Sequence, residues 1–111
     1  MTTHVDPQEA LRLLNEGTLL IDVREPDQHA RERIPNVRLH ALSRLSTPLD
    51  RCEAQQVIFH CWSGGRTASA SERLAAAAGG DAYILRGGLD AWKAAGLPVL
   101  RNHRRPIEMM R

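Results

Sequence analysis

Short apolar runs alternate with segments of helical periodicity along the 111 residues of this chain. The runs are nearly continuous rather than alternating with polar residues, which is typical of parallel strands covered on both faces. Strands that alternate with helices favour a parallel sheet with helices on both of its faces. The sequence therefore predicts an α/β fold with five strands, at residues 4–5, 19–23, 37–39, 57–60 and 82–85.

The helices between these strands are marked by start and stop residues. Asp6 is the expected N-cap of the first helix, with Pro7 in the first turn and Glu9 three residues after the cap. A further helix is predicted as one continuous element beyond residue 66, because small and apolar residues recur at helical spacing up to Ala78. Shorter helices are predicted at residues 27–31 and 42–45, and a last one follows residues 87–88, with Trp92 as a core anchor.

Length and charge narrow the class of protein. A chain of 111 residues forms one domain, and no apolar run approaches the ~20 residues that span a bilayer. The N-terminus lacks the basic start and apolar centre of a signal peptide, so a cytoplasmic protein is expected. The net charge is +2, and residues 101–111 hold four arginines against one glutamate, which leaves residues 1–100 slightly negative. This distribution argues against a nucleic-acid-binding face.

The candidate chemistry lies where the fourth strand ends, in the segment HCWSGGRT of residues 60–67. The chain has two cysteines, and the strand between Cys52 and Cys61 separates them too far for a disulfide, so reduced thiols are expected. A free thiol has a pKa of about 8.5, and a helix N-terminus with a nearby arginine lowers this pKa enough to give a thiolate at neutral pH. Cys61 is therefore the predicted nucleophile and Arg66 its cation.

The rest of this loop is expected to help bind an anion at the sulfur. Gly64 and Gly65 permit a tight turn in which several backbone N–H groups of residues 62–67 converge, so Trp62, Ser63, Gly64, Gly65 and Thr67 are the predicted substrate-binding residues. A buried cysteine followed by an ordinary turn is the plain structural alternative. His60 precedes the nucleophile, but alternation along the strand points its side chain away from Cys61.

Asp22 and Arg24 bring a carboxylate and a guanidinium to the carboxyl edge of the sheet, where ligands bind in open α/β folds. They are interpreted as supporting residues of the site, with a purely structural ion pair as the alternative. No set of His, Cys, Asp and Glu has metal-ligand spacing, so no metal and no organic cofactor are predicted.

Three segments of the sequence resemble the rhodanese homology family of sulfurtransferases: LIDVREPDQHARERIP at residues 20–35, CWSGGRT at 61–67 and LRGGLDAWKAAGLPV at 85–99. The resemblance spans residues 7–99. It implies a rhodanese-like three-layer sandwich with a central five-stranded parallel sheet. It also implies that Cys61 takes a sulfane sulfur from a donor such as thiosulfate, and passes the persulfide sulfur to cyanide or a thiol. Small sulfur donors and thiol acceptors are the expected partners.

The sequence departs from the family pattern at several positions. The family usually has an aromatic residue near the position of His29, Gly-His at the positions of Glu32-Arg33, and Gly at the position of Asn36. Gly65 stands where some members have Lys, which leaves Arg66 as the cation of the loop. Two other functions remain open: an inactive or regulatory rhodanese-type binding module, and a cysteine phosphatase or arsenate reductase, whose loops resemble Cys-x5-Arg and are one residue longer.

The end of the chain carries a separate expectation. Residues 1–100 are assigned to the rhodanese domain and residues 101–111 to a basic C-terminal tail. The tail resembles the segment that leads to the membrane helices of membrane-associated bacterial sulfurtransferases. We therefore expect a juxtamembrane segment, with the domain on the cytosolic face of the inner membrane and a tether beyond Arg111.

Overall fold

The computed structural model describes residues 2–45, 56–79 and 81–102. Its helices are α1 (Pro7–Asn15), α2 (Pro26–Arg31), α3 (Gly65–Ser69), α4 (Ser71–Ala77) and α5 (Gly88–Ala94), with a 3-10 turn at Leu42–Arg44. Its strands are β1 (Thr2–Val5), β2 (Leu19–Asp22), β3 (Glu32–Arg33), β4 (Arg38–Leu39), β5 (Val57–His60), β6 (Ala82–Leu85) and β7 (Leu100–Arg101). The predictions made for Cys52 and for the basic tail beyond residue 102 concern residues outside these ranges.

Five of the strands form one parallel sheet in the order β1, β6, β5, β2, β4. β5 is the central strand, and all four of its residues are buried. Its register places Phe59 beside Ile84 of β6 and His60 beside Asp22 of β2. Because every strand runs in the same direction, the residues that follow β2, β5 and β6 gather at one edge of the sheet.

Helices cover both faces of this sheet and divide the core into two clusters. On one face, Leu74 and Ala78 pack against Phe59 and Ile84. On the other face, Leu13 of α1 and Leu89 and Trp92 of α5 pack against strand residues of the opposite parity, Leu20, Ile58 and Leu85. The three-layer α/β architecture predicted from the sequence is confirmed, and Trp92, 1% exposed, is a core residue.

The first helix begins as predicted, because the Asp6 side chain accepts a hydrogen bond of 2.8 Å from the Glu9 N–H. The helix beyond the loop differs from the prediction, which was one continuous element. Ala70 leaves helical geometry, with φ −104° and ψ 15°, and separates α3 from α4. No Gly or Pro marks this break, and the apolar periodicity continues across it, so the sequence pattern does not reveal it. The turn still buries Ala70 and Leu74 against the sheet.

A small antiparallel sheet of β3 and β7 was not predicted. Its strands have two residues each, too few to show a periodicity of their own. Arg101 hydrogen-bonds the Glu32 carboxylate, and the Asn102 N–H donates to the Arg31 carbonyl at 2.9 Å. The first residues of the basic segment therefore lie along the domain. None of the helices in the described residues has the length and apolar character of a membrane span.

Candidate functional site

Cys61 lies at the carboxyl end of β5, beneath a loop that leads into α3. Its sulfur accepts a hydrogen bond of 3.2 Å from the Gly64 N–H, and the Thr67 hydroxyl oxygen lies 3.7 Å from the same sulfur. The Thr67 hydroxyl in turn donates to the Gly64 carbonyl at 3.1 Å. Although Cys61 is only 1% exposed and joins an apolar cluster, the Gly64 N–H and the Thr67 hydroxyl oxygen lie beside its sulfur on the loop side.

The loop can close this tightly because two glycines replace side chains that would not fit. Gly64 has φ +95°, and a Cβ there would lie 3.0 Å from the Gly87 nitrogen. Gly88 has φ +58°, and a Cβ on it would lie 2.5 Å from the Cys61 carbonyl oxygen. The start of α5 uses this close approach, since the Leu89 N–H donates to the Cys61 carbonyl at 3.0 Å. Gly87 and Gly88, which the sequence predicts only as a turn, therefore also support the loop.

The outer part of the loop faces solvent. Trp62, Ser63, Gly65 and Arg66 are exposed, whereas Thr67 is buried. Within the described chain, the Arg66 side chain forms no hydrogen bond or ion pair, and the Gly65, Arg66 and Thr67 N–H groups have no acceptor. The sequence predicts that several backbone N–H groups of the loop donate hydrogen bonds to the sulfur itself. Among the described residues, Gly64 is the backbone donor that reaches it.

Beside this loop lies a buried charge cluster, defined by Asp22, Arg24, His29 and His60. The Arg24 guanidinium donates to Asp22 through Nε at 3.0 Å and Nη2 at 2.9 Å, and both side chains are fully buried. His29 Nδ1 lies 3.0 Å from Asp22 Oδ2, the oxygen that also accepts from Arg24 Nη2. Burial opposes ionisation of Asp22, but the Arg24 hydrogen bonds and the His60 charge together hold its pKa below the ordinary value.

His60 connects the buried charge cluster to the backbone of Cys61. Its Nδ1 lies 3.0 Å from the Cys61 carbonyl oxygen, so this nitrogen carries the proton and donates. Its Nε2 has no hydrogen-bond partner in the described chain and lies 3.9 Å from Asp22 Oδ1. Burial lowers the pKa of His60, although the Asp22 charge acts in the opposite direction. The side chain holds the backbone of Cys61 rather than its sulfur.

Trp62 covers the cluster from the solvent side. Its ring centroid lies 5.5 Å from the Arg24 guanidinium carbon and 5.7 Å from the Lys93 Nζ, while the residue stays 44% exposed. Lys93 also bonds the Glu32 carboxylate at 3.0 Å. Cations near an indole face stabilise its position. Trp62 is therefore held by its inner contacts while presenting ring surface beside Cys61.

The structure thus gathers the predicted residues at one sheet edge but separates them into two groups. Cys61 and the loop residues form one group, and Asp22 and Arg24 belong to the buried charge cluster. The sequence pattern predicts neither His29 nor the contribution of His60. The sequence shows where these histidines lie in the chain but not what they contact, because the parallel register that sets His60 beside Asp22 is a tertiary property.

A loop that carries a buried cysteine at the carboxyl edge of a five-stranded parallel sheet defines a class of α/β domain. Comparison with known families identifies the class: the family model described as "Rhodanese-like domain" matches residues 6–95. The chain belongs to the rhodanese-like family.

Individual relatives support this assignment. An uncharacterised protein of Synechocystis is 36% identical over 97 residues, which cover 86% of this chain and 54% of that protein. The chain therefore spans about half the length of this relative. The thiosulfate sulfurtransferase GlpE of Ectopseudomonas mendocina is 30% identical over 93 residues, covering 81% of this chain and 84% of that protein.

A solved structure agrees with the fold. The rhodanese-related protein of Thermoplasma volcanium superposes with a TM-score of 0.74 at 24% identity, covering 88% of this chain and 97% of that one. At this level of identity, the likeness shows the fold alone. Together, the comparisons place the chain in a family whose members include sulfurtransferases.

Proposed function

We propose that the chain is a sulfurtransferase that moves a sulfane sulfur, from a donor such as thiosulfate to cyanide or a thiol, through a persulfide on Cys61. The observation that carries the proposal is the Gly64 N–H on the Cys61 sulfur, at the mouth of the loop. An N–H donor fixed beside the sulfur can stabilise the negative charge that develops there during transfer. The name of the GlpE relative supports thiosulfate as the donor.

The first half-reaction breaks one bond and forms one. The Cys61 thiolate attacks the outer sulfur of thiosulfate, the S–S bond of thiosulfate breaks, and sulfite leaves with the electron pair. The product is a persulfide whose terminal sulfur carries the negative charge. The Gly65, Arg66 and Thr67 N–H groups lack acceptors in the described chain, and they are the donors available to this additional sulfur.

The second half-reaction restores the enzyme. Cyanide or a thiolate attacks the terminal sulfur, the persulfide S–S bond breaks, and the electron pair returns to the Cys61 sulfur. Arg66 is exposed beside the loop, where its charge attracts anionic donors and the departing sulfite. Because Cys61 is 1% exposed, we infer that the loop at Ser63 and Gly65 moves to admit a donor.

The same burial favours a second candidate, a binding module in which Cys61 is inert and the exposed Trp62 contacts a partner. Intact mass separates the two functions. After incubation with thiosulfate, the chain should gain one sulfur atom, cyanide should remove it, and Cys61→Ser should never gain it. Cys52→Ser is the matched control, and should gain the sulfur like the parent. An unchanged mass with thiosulfate and with organic persulfide donors would assign the chain to the binding module.

A further inference from the structure

The strand next to Cys61 carries a second arginine that sequence analysis did not connect with the site. The register of β5 and β6 pairs Ile58 with Tyr83 and Phe59 with Ile84. Continuing it by two residues sets Cys61 beside Arg86. The ladder does continue this far on the other side of β6, because the Arg86 N–H donates to the Val5 carbonyl at 2.8 Å.

Strand parity puts both residues on the same face of the sheet. Phe59 and Ile84 belong to the core cluster that also contains Cys61, whereas Ile58 and Leu85 belong to the opposite cluster. Because side chains alternate along a strand, Arg86 shares the parity of Ile84 and therefore the face of Cys61. Adjacent strands lie about 4.8 Å apart, so the two Cα atoms are near neighbours.

The turn after Arg86 touches the catalytic loop itself. A Cβ on Gly64 would lie 3.0 Å from the Gly87 nitrogen, so the backbone that carries Arg86 lies against the residue that donates to the sulfur. Arg86 is exposed, and within the described chain its side chain forms no ion pair. Its charge is therefore available to a ligand at the loop.

We infer that Arg86 is a second anion-binding cation of the Cys61 site, and that the site prefers sulfur donors bearing an oxyanion group, such as thiosulfate, over uncharged donors. Arg66 approaches from the loop and Arg86 from the neighbouring strand, so a donor whose outer sulfur faces Cys61 meets two guanidinium groups. The inference rests on the proposed function for the identity of the donor. The anion preference itself needs only an accessible Cys61.

The test compares a charged and an uncharged reagent on the same thiol in the full 111-residue chain. Iodoacetate and iodoacetamide alkylate accessible thiols, and the ratio of their rates at Cys61, followed by mass spectrometry of the Cys61 peptide, reports the local preference for an anion. Arg86→Ala should lower this ratio roughly two- to fivefold, the range expected from an exposed charge pair. Arg86→Lys should keep most of it.

Arg73→Ala is the matched control, because Arg73 is an exposed arginine of α4 and its removal changes the net charge equally. It should leave the ratio unchanged. In thiosulfate turnover, Arg86→Ala should raise KM by a similar factor with little change in kcat. Equal ratios in Arg86→Ala and the parent, or equal losses in Arg86→Ala and Arg73→Ala, overturn the inference.

The two claims fail separately. If the alkylation ratio responds to Arg86 but no donor forms a persulfide, the anion site stands and the sulfurtransferase proposal fails. If persulfide forms normally and neither the ratio nor KM responds to Arg86, the function stands and this inference fails. If neither alkylation nor persulfide formation occurs at Cys61, both fail.

Discussion

Two groups of charged and reactive side chains share the carboxyl edge of one sheet, yet they are built in opposite ways. In the buried charge cluster, Asp22 and Arg24 are fully buried and bonded to each other through two nitrogens. Around Cys61, the cations Arg66 and Arg86 are exposed and unpaired within the described chain, and one backbone N–H reaches the sulfur. Charges that satisfy each other hold the fold, whereas uncompensated charges are available to a ligand.

The contrast predicts different costs for removing a buried arginine, Arg24, and an exposed one, Arg66. A buried ion pair that loses one partner leaves an uncompensated charge in the core, which costs several kcal/mol. An exposed arginine can be removed at little cost to the fold. Stability and function should therefore separate cleanly between these two groups of residues.

The largest expected effect comes from breaking the buried pair. Arg24→Met should lower the free energy of unfolding by about 3–5 kcal/mol, because Asp22 is left buried without its partner. Arg66→Met, the exposed control, should stay within about 0.5 kcal/mol of the parent in urea unfolding. The double variant Asp22→Asn with Arg24→Met should be more stable than Arg24→Met alone. Similar losses in the two single variants would remove the distinction drawn between the regions.

A smaller effect is expected where α5 meets the loop. Gly88→Ala and Gly96→Ala both place alanine at positive φ, +58° and +76°, which costs about 1–2 kcal/mol in each. Only Gly88 has atoms in the way, the carbonyl oxygens of Cys61 at 2.5 Å and Trp62 at 2.8 Å. Gly88→Ala should therefore cost about 1–3 kcal/mol more than Gly96→Ala. It should also change the alkylation rate of Cys61, which Gly96→Ala should leave as it is.

The smallest expected effect is the pH dependence of the buried charge cluster. Burial lowers the pKa of His60 in the folded state, so the unfolded chain binds the extra proton first as pH falls. This contribution to stability is complete above about pH 6.5 and declines below it, by at most about 1.4 kcal/mol per pH unit. The lowered pKa of Asp22 adds a second loss below about pH 4, as pH falls through its folded value.

Urea unfolding between pH 7.5 and 5 measures the first of these losses. His60→Asn, whose amide can still donate to the Cys61 carbonyl, should show a flatter decline than the parent. His4→Asn, at an exposed position, should retain the parent slope. A parent slope that survives in His60→Asn would place the titrating group elsewhere.

Much of the fold was predictable because its signals are local. The five parallel strands are confirmed near their predicted positions, and the Asp6 cap starts α1 as its side chain predicts. The break at Ala70 and the pairing of β3 with β7 were not predictable, because neither depends on a residue type with a strong backbone preference.

Local patterns in the sequence predict the five strands of the main sheet, most of the helices and the thiol at the end of the central strand, since these follow from apolar periodicity and from the residues that start and stop helices. Which side chains meet depends on how the elements pack in the folded chain. The parallel register set His60 beside Asp22, and the packing of Gly87 against Gly64 brought Arg86 to the loop. These contacts join residues far apart in the chain, and a local pattern carries no information about them.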